Sequence, residues 1–128
     1  MDRKIIAAAA ILGFVAIILG AFGAHALKKV LDVEQLVSFE TGVRYQMYHA
    51  LFLLFLGTTK LVSEKTKSTI YYLVISGVLF FSGSIYLLAT RNITNVDFSV
   101  IGFITPIGGL LMIIAWALLF LNILKQKA

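Results

Sequence analysis

Apolar residues in this chain gather into four long runs separated by short polar links. The first, Ile5 to Leu27, holds no Lys, Arg, Asp or Glu and a single histidine, His25. As a helix rising 1.5 Å per residue it crosses a hydrocarbon core of about 30 Å. Further runs predict spans at about 42–62, 69–89 and 98–124, after the first at 5–27. Between the first two, Asp32 followed by Gln35 has the form of a capping box, which starts a helix near Val33. Val33, Leu36, Val37 and Phe39 set that piece at the membrane interface, and Gly42 offers a bend into the second span. The Lys60–Ser68 link carries three lysines. Arg91 to Asp97 reads as a turn, with Asp97 as an N-cap. The pattern predicts an all-α fold: an integral membrane four-helix bundle with a short interfacial helix between spans one and two, one domain over residues 1–128.

The first run invites a second reading. Ala24-His25-Ala26 has the form of a signal-peptidase site after an apolar stretch. The stretch, however, exceeds the roughly 7–15 residues of a signal core. It also carries Ala9, Gly13, Ala16, Gly20 and Gly23 at helical spacing, a stripe that lets another backbone approach closely in lipid. The stripe packs either inside the bundle or between protomers. A chain this small encloses no solute path alone, so a homo-oligomer is expected.

Composition agrees. The 128 residues are 60% hydrophobic and 13% charged, against about 45–50% and about 25% in a soluble domain. Without cysteine there are no disulfides and no thiolate metal sites. The net charge of +5 sits at the ends of the runs and forms no basic stripe, so it suits membrane lipids, not nucleic acid. Arg3, Lys4, Lys60, Lys65, Lys67, Lys125 and Lys127 fall on one side of the membrane, against Lys28, Lys29, Arg44 and Arg91 on the other. The positive-inside rule therefore places both termini in the cytoplasm of a multi-pass membrane protein.

That orientation gathers the polar residues toward the outer side. His25 ends span one, and Glu40, Thr41, Arg44, Tyr45, Gln46 and His49 open span two. Ser82, Ser84 and Tyr86 fall in the outer half of span three, Arg91 just beyond it, and Thr105 with Pro106 in the outer half of span four. Polar groups in a bilayer are costly and turn toward protein or a water-filled cavity. Thr41, Tyr45 and His49 share a helix face, Glu40 and Arg44 are spaced to pair, and Pro106 inside the fourth span frees the carbonyl of Gly102. Trp116 reads as packing, with no partner evident for its N–H.

The blocks Gly20-Ala21-Phe22-Gly23-Ala24-His25, Thr41 through His49, Phe81-Ser82-Gly83-Ser84-Ile85-Tyr86 and Thr105-Pro106-Ile107-Gly108-Gly109, with Trp116, carry a resemblance. In this order they resemble the small membrane family of unknown function 423. That family includes bacterial inner-membrane proteins of the YgdD type and is similar to eukaryotic transmembrane protein 256. The resemblance implies a compact four-span protein. It brings no activity, substrate or cofactor to these positions.

The residues favour a non-enzymatic binding or helper protein. There is no nucleophile with a base and an orienting group, no phosphate-binding glycine loop and no carboxylate pair at mid-membrane. The candidate ligand-binding residues are His25, Glu40, Thr41, Arg44, Tyr45, Gln46, His49, Ser82, Tyr86, Arg91 and Thr105, with no metal or cofactor. They would receive a lipid headgroup, an amphiphile or the helix of a membrane-protein partner. One alternative is an oligomeric transporter of a small solute or protons, with Glu40 and His49 titrating. Another is a redox subunit with His25 and His49 as haem or metal ligands.

Overall fold

The computed structural model describes residues 1–91 and 101–125. Four helices carry most of it: α1 (Asp2–His25), α2 (Val33–Thr58), α3 (Glu64–Ala89) and α4 (Ile104–Lys125). A 3-10 turn at Leu27–Lys29 follows α1, and another at Ile101–Phe103 leads into α4. No strand occurs among the described residues. The expected Asp97 cap, most of the turn after Arg91 and the expected start of span four at Phe98 lie outside them.

Neighbouring helices run in opposite directions. Ile5 and Ile6 of α1 lie against Gly57 at the end of α2. The Lys67 ammonium meets Asp2 Oδ1 at 3.1 Å, joining the starts of α3 and α1. Thr66 Oγ1 donates to Asn122 Oδ1 at 3.2 Å, joining the start of α3 to the end of α4. Lys67 is almost wholly buried, so this ion pair is what makes its charge tolerable there.

Among the described residues, the stretches Asp2–Lys29, Glu64–Ala89 and Ile101–Lys125 are long and apolar enough to cross a membrane. α2 has the length, 26 residues, but its polar half keeps its average hydropathy down. Ile11, Phe14 and Ile17 on α1 and Ile107, Ile113 and Phe120 on α4 point outward. An exterior of this kind suits hydrocarbon.

The separate interfacial helix does not form: α2 runs unbroken from Val33 to Thr58. The capping box at its start is as read, with Asp32 Oδ1 accepting the Gln35 N–H at 2.7 Å and Gln35 Oε1 accepting the Asp32 N–H at 3.1 Å. Gly42 is not a bend. A Cβ there would stand 2.7 Å from Cε1 of Tyr86, so the glycine admits that ring. One glycine costs a helix only about 1 kcal/mol, which packing readily offsets. Pro106 likewise does not sit inside its span to free a carbonyl there. It lies in the first turn of α4, where a missing N–H interrupts no helical hydrogen bond.

The small-residue stripe of α1 packs inside the bundle, on α2. Positions 13, 20 and 23 face Ala50, Val43 and Phe39, and Ala9 and Ala16 are buried. One apolar cluster fills the end of the bundle near the chain start, with Ile5, Leu53, Leu56, Ile70 and Val74 fully buried. Tyr71 joins it, while its neighbour Tyr72 is exposed and accepts a hydrogen bond from Lys4 at 2.9 Å. A smaller cluster of Leu27, Leu31, Phe39 and Ala89 closes the other end.

α3 and α4 touch backbone to backbone at Gly77 and Gly108, where a Cβ on Gly108 would stand 2.7 Å from the Gly77 carbonyl oxygen. Beside that contact α3 widens into a π turn, Leu79–Gly83. Gly108→Ala should force the two helices apart and cost about 1–3 kcal/mol. Gly83→Ala meets nothing within 4 Å and should change stability by less than about 0.5 kcal/mol. Thermal unfolding of both variants in detergent compares them; equal losses would contradict the backbone contact.

Candidate functional site

The polar side chains of α2 form a descending series of contacts. At the top, Ser82 Oγ, presented by the π turn, donates to the Gly42 carbonyl at 2.7 Å. Alongside, Ser84 and Thr105 share a hydrogen bond that joins α3 to α4. Tyr86 Oη donates to Gln46 Oε1 at 2.6 Å, and Gln46 Nε2 donates to the Leu12 carbonyl at 2.8 Å. One amide therefore ties α2 to both α1 and α3.

Lower still is His49. Its Nδ1 lies 2.7 Å from the Tyr45 carbonyl, and Nε2 accepts the Trp116 indole N–H at 3.1 Å. An indole N–H only donates, so Nε2 is the bare nitrogen and Nδ1 carries the hydrogen. Trp116 thus has a partner, contrary to the expectation of plain packing. Its ring also meets Phe52 edge-on at 4.3 Å.

These contacts extend the expected gathering of polar residues at the outer side toward the middle of the helices. Leu12 lies thirteen residues before His25, about 20 Å down α1. Trp116 lies twelve residues into α4, about 18 Å from its start. The series runs from one end of the bundle to its middle, and α1 joins it through a carbonyl and not through His25. A helix carries its polar face along its whole length, and partners meet that face wherever a neighbour comes close.

The other candidates divide. His25 and Glu40 are exposed, and His25 is not brought to His49. Glu40 and Arg44 form no ion pair, because Arg44 Nη2 turns to Thr41 Oγ1 at 3.2 Å. Thr41 Oγ1 in turn donates to the Val37 carbonyl at 3.0 Å. Arg91 donates to the Leu88 carbonyl at 2.8 Å, closing the end of α3. No group of three or more His, Cys, Asp or Glu side chains suited to a metal occurs among the described residues.

Where α2, the π turn and α4 meet, a cleft of about 420 Å³ opens sideways from the bundle. Tyr45, Phe81, Met112, Ile113 and Trp116 line it, Gly109 leaves room in it, and His49 lies at its back. Tyr45, Ile113 and Trp116 stand exposed at the rim. The Tyr45 ring stacks at a tilt on Phe81, 5.0 Å away. The size falls within the 300–1,000 Å³ usual for a small-molecule site. Of this lining, sequence reasoning singled out only Tyr45 and His49 as site residues. The lone tryptophan was the missed signal: an indole in an apolar helix needs an acceptor from another helix.

The block around Thr41–His49, the π turn and the Gly108 contact all lie within the stretch that decides the family. A family model described as protein of unknown function, DUF423, matches residues 19–109. The chain belongs to the DUF423 family. A UPF0382 membrane protein of Staphylococcus saprophyticus is 41% identical, the match covering 83% of this chain and 84% of the relative. A UPF0382 membrane protein of Haemophilus influenzae is 36% identical over 100% of this chain and 99% of its own length. The UPF0382 inner membrane protein YgdD of Escherichia coli is 33% identical over 98% and 93%. No solved structure matches the chain. This DUF423 chain is accordingly a membrane protein of unknown function, all-helical where described.

The Gln46 bridge is testable by a mutant cycle. Gln46→Leu leaves the Tyr86 hydroxyl without its partner and should cost about 1–2 kcal/mol. Tyr86→Phe should cost less, about 0.6–1 kcal/mol. The double variant should lose less than the sum, read by thermal unfolding in detergent. Strict additivity would mean that the two side chains act separately.

Proposed function

We propose that this DUF423 protein is a four-span, non-enzymatic inner-membrane protein that holds the apolar part of a membrane amphiphile in the cleft beside Trp116. The observation that carries the reading is the cleft itself, aromatic on its walls, open at the side of the helices and backed by a histidine whose two nitrogens are both engaged. With both nitrogens occupied, His49 acts as a fixed polar back wall and not as a base. Aromatic and apolar walls of this kind favour a flat ring or an acyl chain over a hydrated solute.

α2 supports the four-span reading. It lies antiparallel between α1 and α3 with the length to cross, and several of its polar groups are answered by protein. A polar helix is tolerated in a bilayer on those terms. The Lys and Arg count puts both termini and the Lys60–Ser68 link in the cytoplasm.

Gly109→Leu fills the cleft, and its Cβ meets only Phe81, at an ordinary 3.7 Å. Native mass spectrometry after gentle extraction should show bound lipid on the wild type and little on this variant, with unfolding temperatures alike. Wild-type protein that emerges bare from several detergents would remove the proposal. For topology, reporter fusions in the Lys60–Ser68 link should be active only as cytoplasmic reporters; an exterior signal reverses the orientation.

A further inference from the structure

A second cavity of about 190 Å³ lies on the same α2–α3 seam, nearer the end at which α2 begins. Ser38, at its edge, precedes Tyr45 of the lateral cleft by seven residues. Seven residues are two helical turns, about 10 Å, on one face of α2. On α3, Ile85 of this cavity is one turn from Phe81 of the cleft. Its polar groups are Asp32, Glu34, Gln35 and Arg91, with Ser38 at the edge.

Gln35 carries the inference. It is 4% exposed, and its Nε2 is the one buried side-chain nitrogen or oxygen left without a hydrogen-bond partner among the described residues. Its Oε1 is committed to the capping box. A buried amide donor with no acceptor costs about 1–3 kcal/mol, a cost a ligand oxygen would relieve. Arg91 spends one donor on the Leu88 carbonyl, and a guanidinium has five. Asp32 Oδ1 accepts the Gln35 N–H, while Glu34 takes part in no hydrogen bond or ion pair among the described residues.

We infer that this cavity binds a zwitterion bearing a phosphate and a primary ammonium, the chemistry of an ethanolamine phospholipid headgroup. Arg91 and the Gln35 amide donate to phosphate oxygens. Asp32 and Glu34 accept from the ammonium. Two carboxylates against one guanidinium disfavour a headgroup that is only anionic. Among the described residues no aromatic ring lines the cavity, and a quaternary ammonium binds through ring faces and donates no hydrogen bond. The inference rests on the cleft reading above: the head occupies this cavity while the chain lies in the cleft two turns away.

The test uses the full chain in nanodiscs or detergent, with ethanolamine, choline and glycerol phospholipids of identical acyl chains, read by native mass spectrometry. The ethanolamine lipid should be retained about fivefold over the other two, a margin suited to one charge-assisted contact. Glu34→Gln, an exposed position, should bring ethanolamine and choline lipids level by lowering retention of the ethanolamine lipid. Arg91→Gln should weaken both. Equal retention of all three lipids by the wild type, or an unchanged preference in Glu34→Gln, overturns the headgroup assignment while leaving the cleft reading intact. Loss of all lipid in Gly109→Leu together with no headgroup preference in the wild type separates the two. Competition by soluble glycerophosphoethanolamine would identify the free zwitterion as the source, and its absence the lipid; either upholds the zwitterion.

Discussion

Inside a hydrocarbon solvent every polar group needs a partner from the protein, and one amide supplies three helices with theirs. Gln46 donates to the backbone of α1 and accepts from Tyr86 on α3. Apolar packing between helices gains little over packing against lipid. Directional contacts of this sort therefore set which faces meet. Ser82 on Gly42, Ser84 on Thr105 and Trp116 on His49 repeat the principle at other heights. The contacts at Gly42, Gln46 and His49 fix the rotation of α2, the most polar helix, about its axis.

Those contacts need backbones at short range, and small residues grant it. The stripe on α1 lets α2 lie close enough for Gln46 to reach a main-chain carbonyl. Gly42 admits the Tyr86 ring, and Gly77 with Gly108 brings α3 onto α4. The π turn follows from the same crowding. An extra residue in that turn carries Ser82 toward α2 while α3 stays seated on α4. The lateral cleft lies just below, where the widened turn and Gly109 leave a gap that Trp116 does not fill. Close packing and the cleft are thus two outcomes of one arrangement of glycines.

The membrane setting and the all-helical fold were legible in the residues because both are statements about composition along the chain. The apolar runs, a capping box at Asp32 and a small-residue stripe each act locally; the structure keeps the box and the stripe, and three stretches among the described residues are long and apolar enough to cross a membrane. The misreadings concern residues whose local meaning is ambiguous. Gly42 breaks a helix or admits a ring, according to what lies opposite. Pro106 kinks a helix or opens one, according to whether it falls inside or in the first turn. Glu40 and Arg44 are spaced to pair, yet Arg44 finds Thr41 nearer.

Sequence alone determined where polar groups are concentrated, since their cost in hydrocarbon marks them wherever they occur. Only the tertiary structure decided which of them meet. Trp116 and His49 are sixty-seven positions apart, and nothing in either local neighbourhood names the other. Their contact follows from helix rotation, which depends on side-chain interlocking summed over the bundle. The same holds for the unanswered Gln35 amide: its capping role is written in four consecutive residues, while the cavity around it exists only once α3 has been laid alongside.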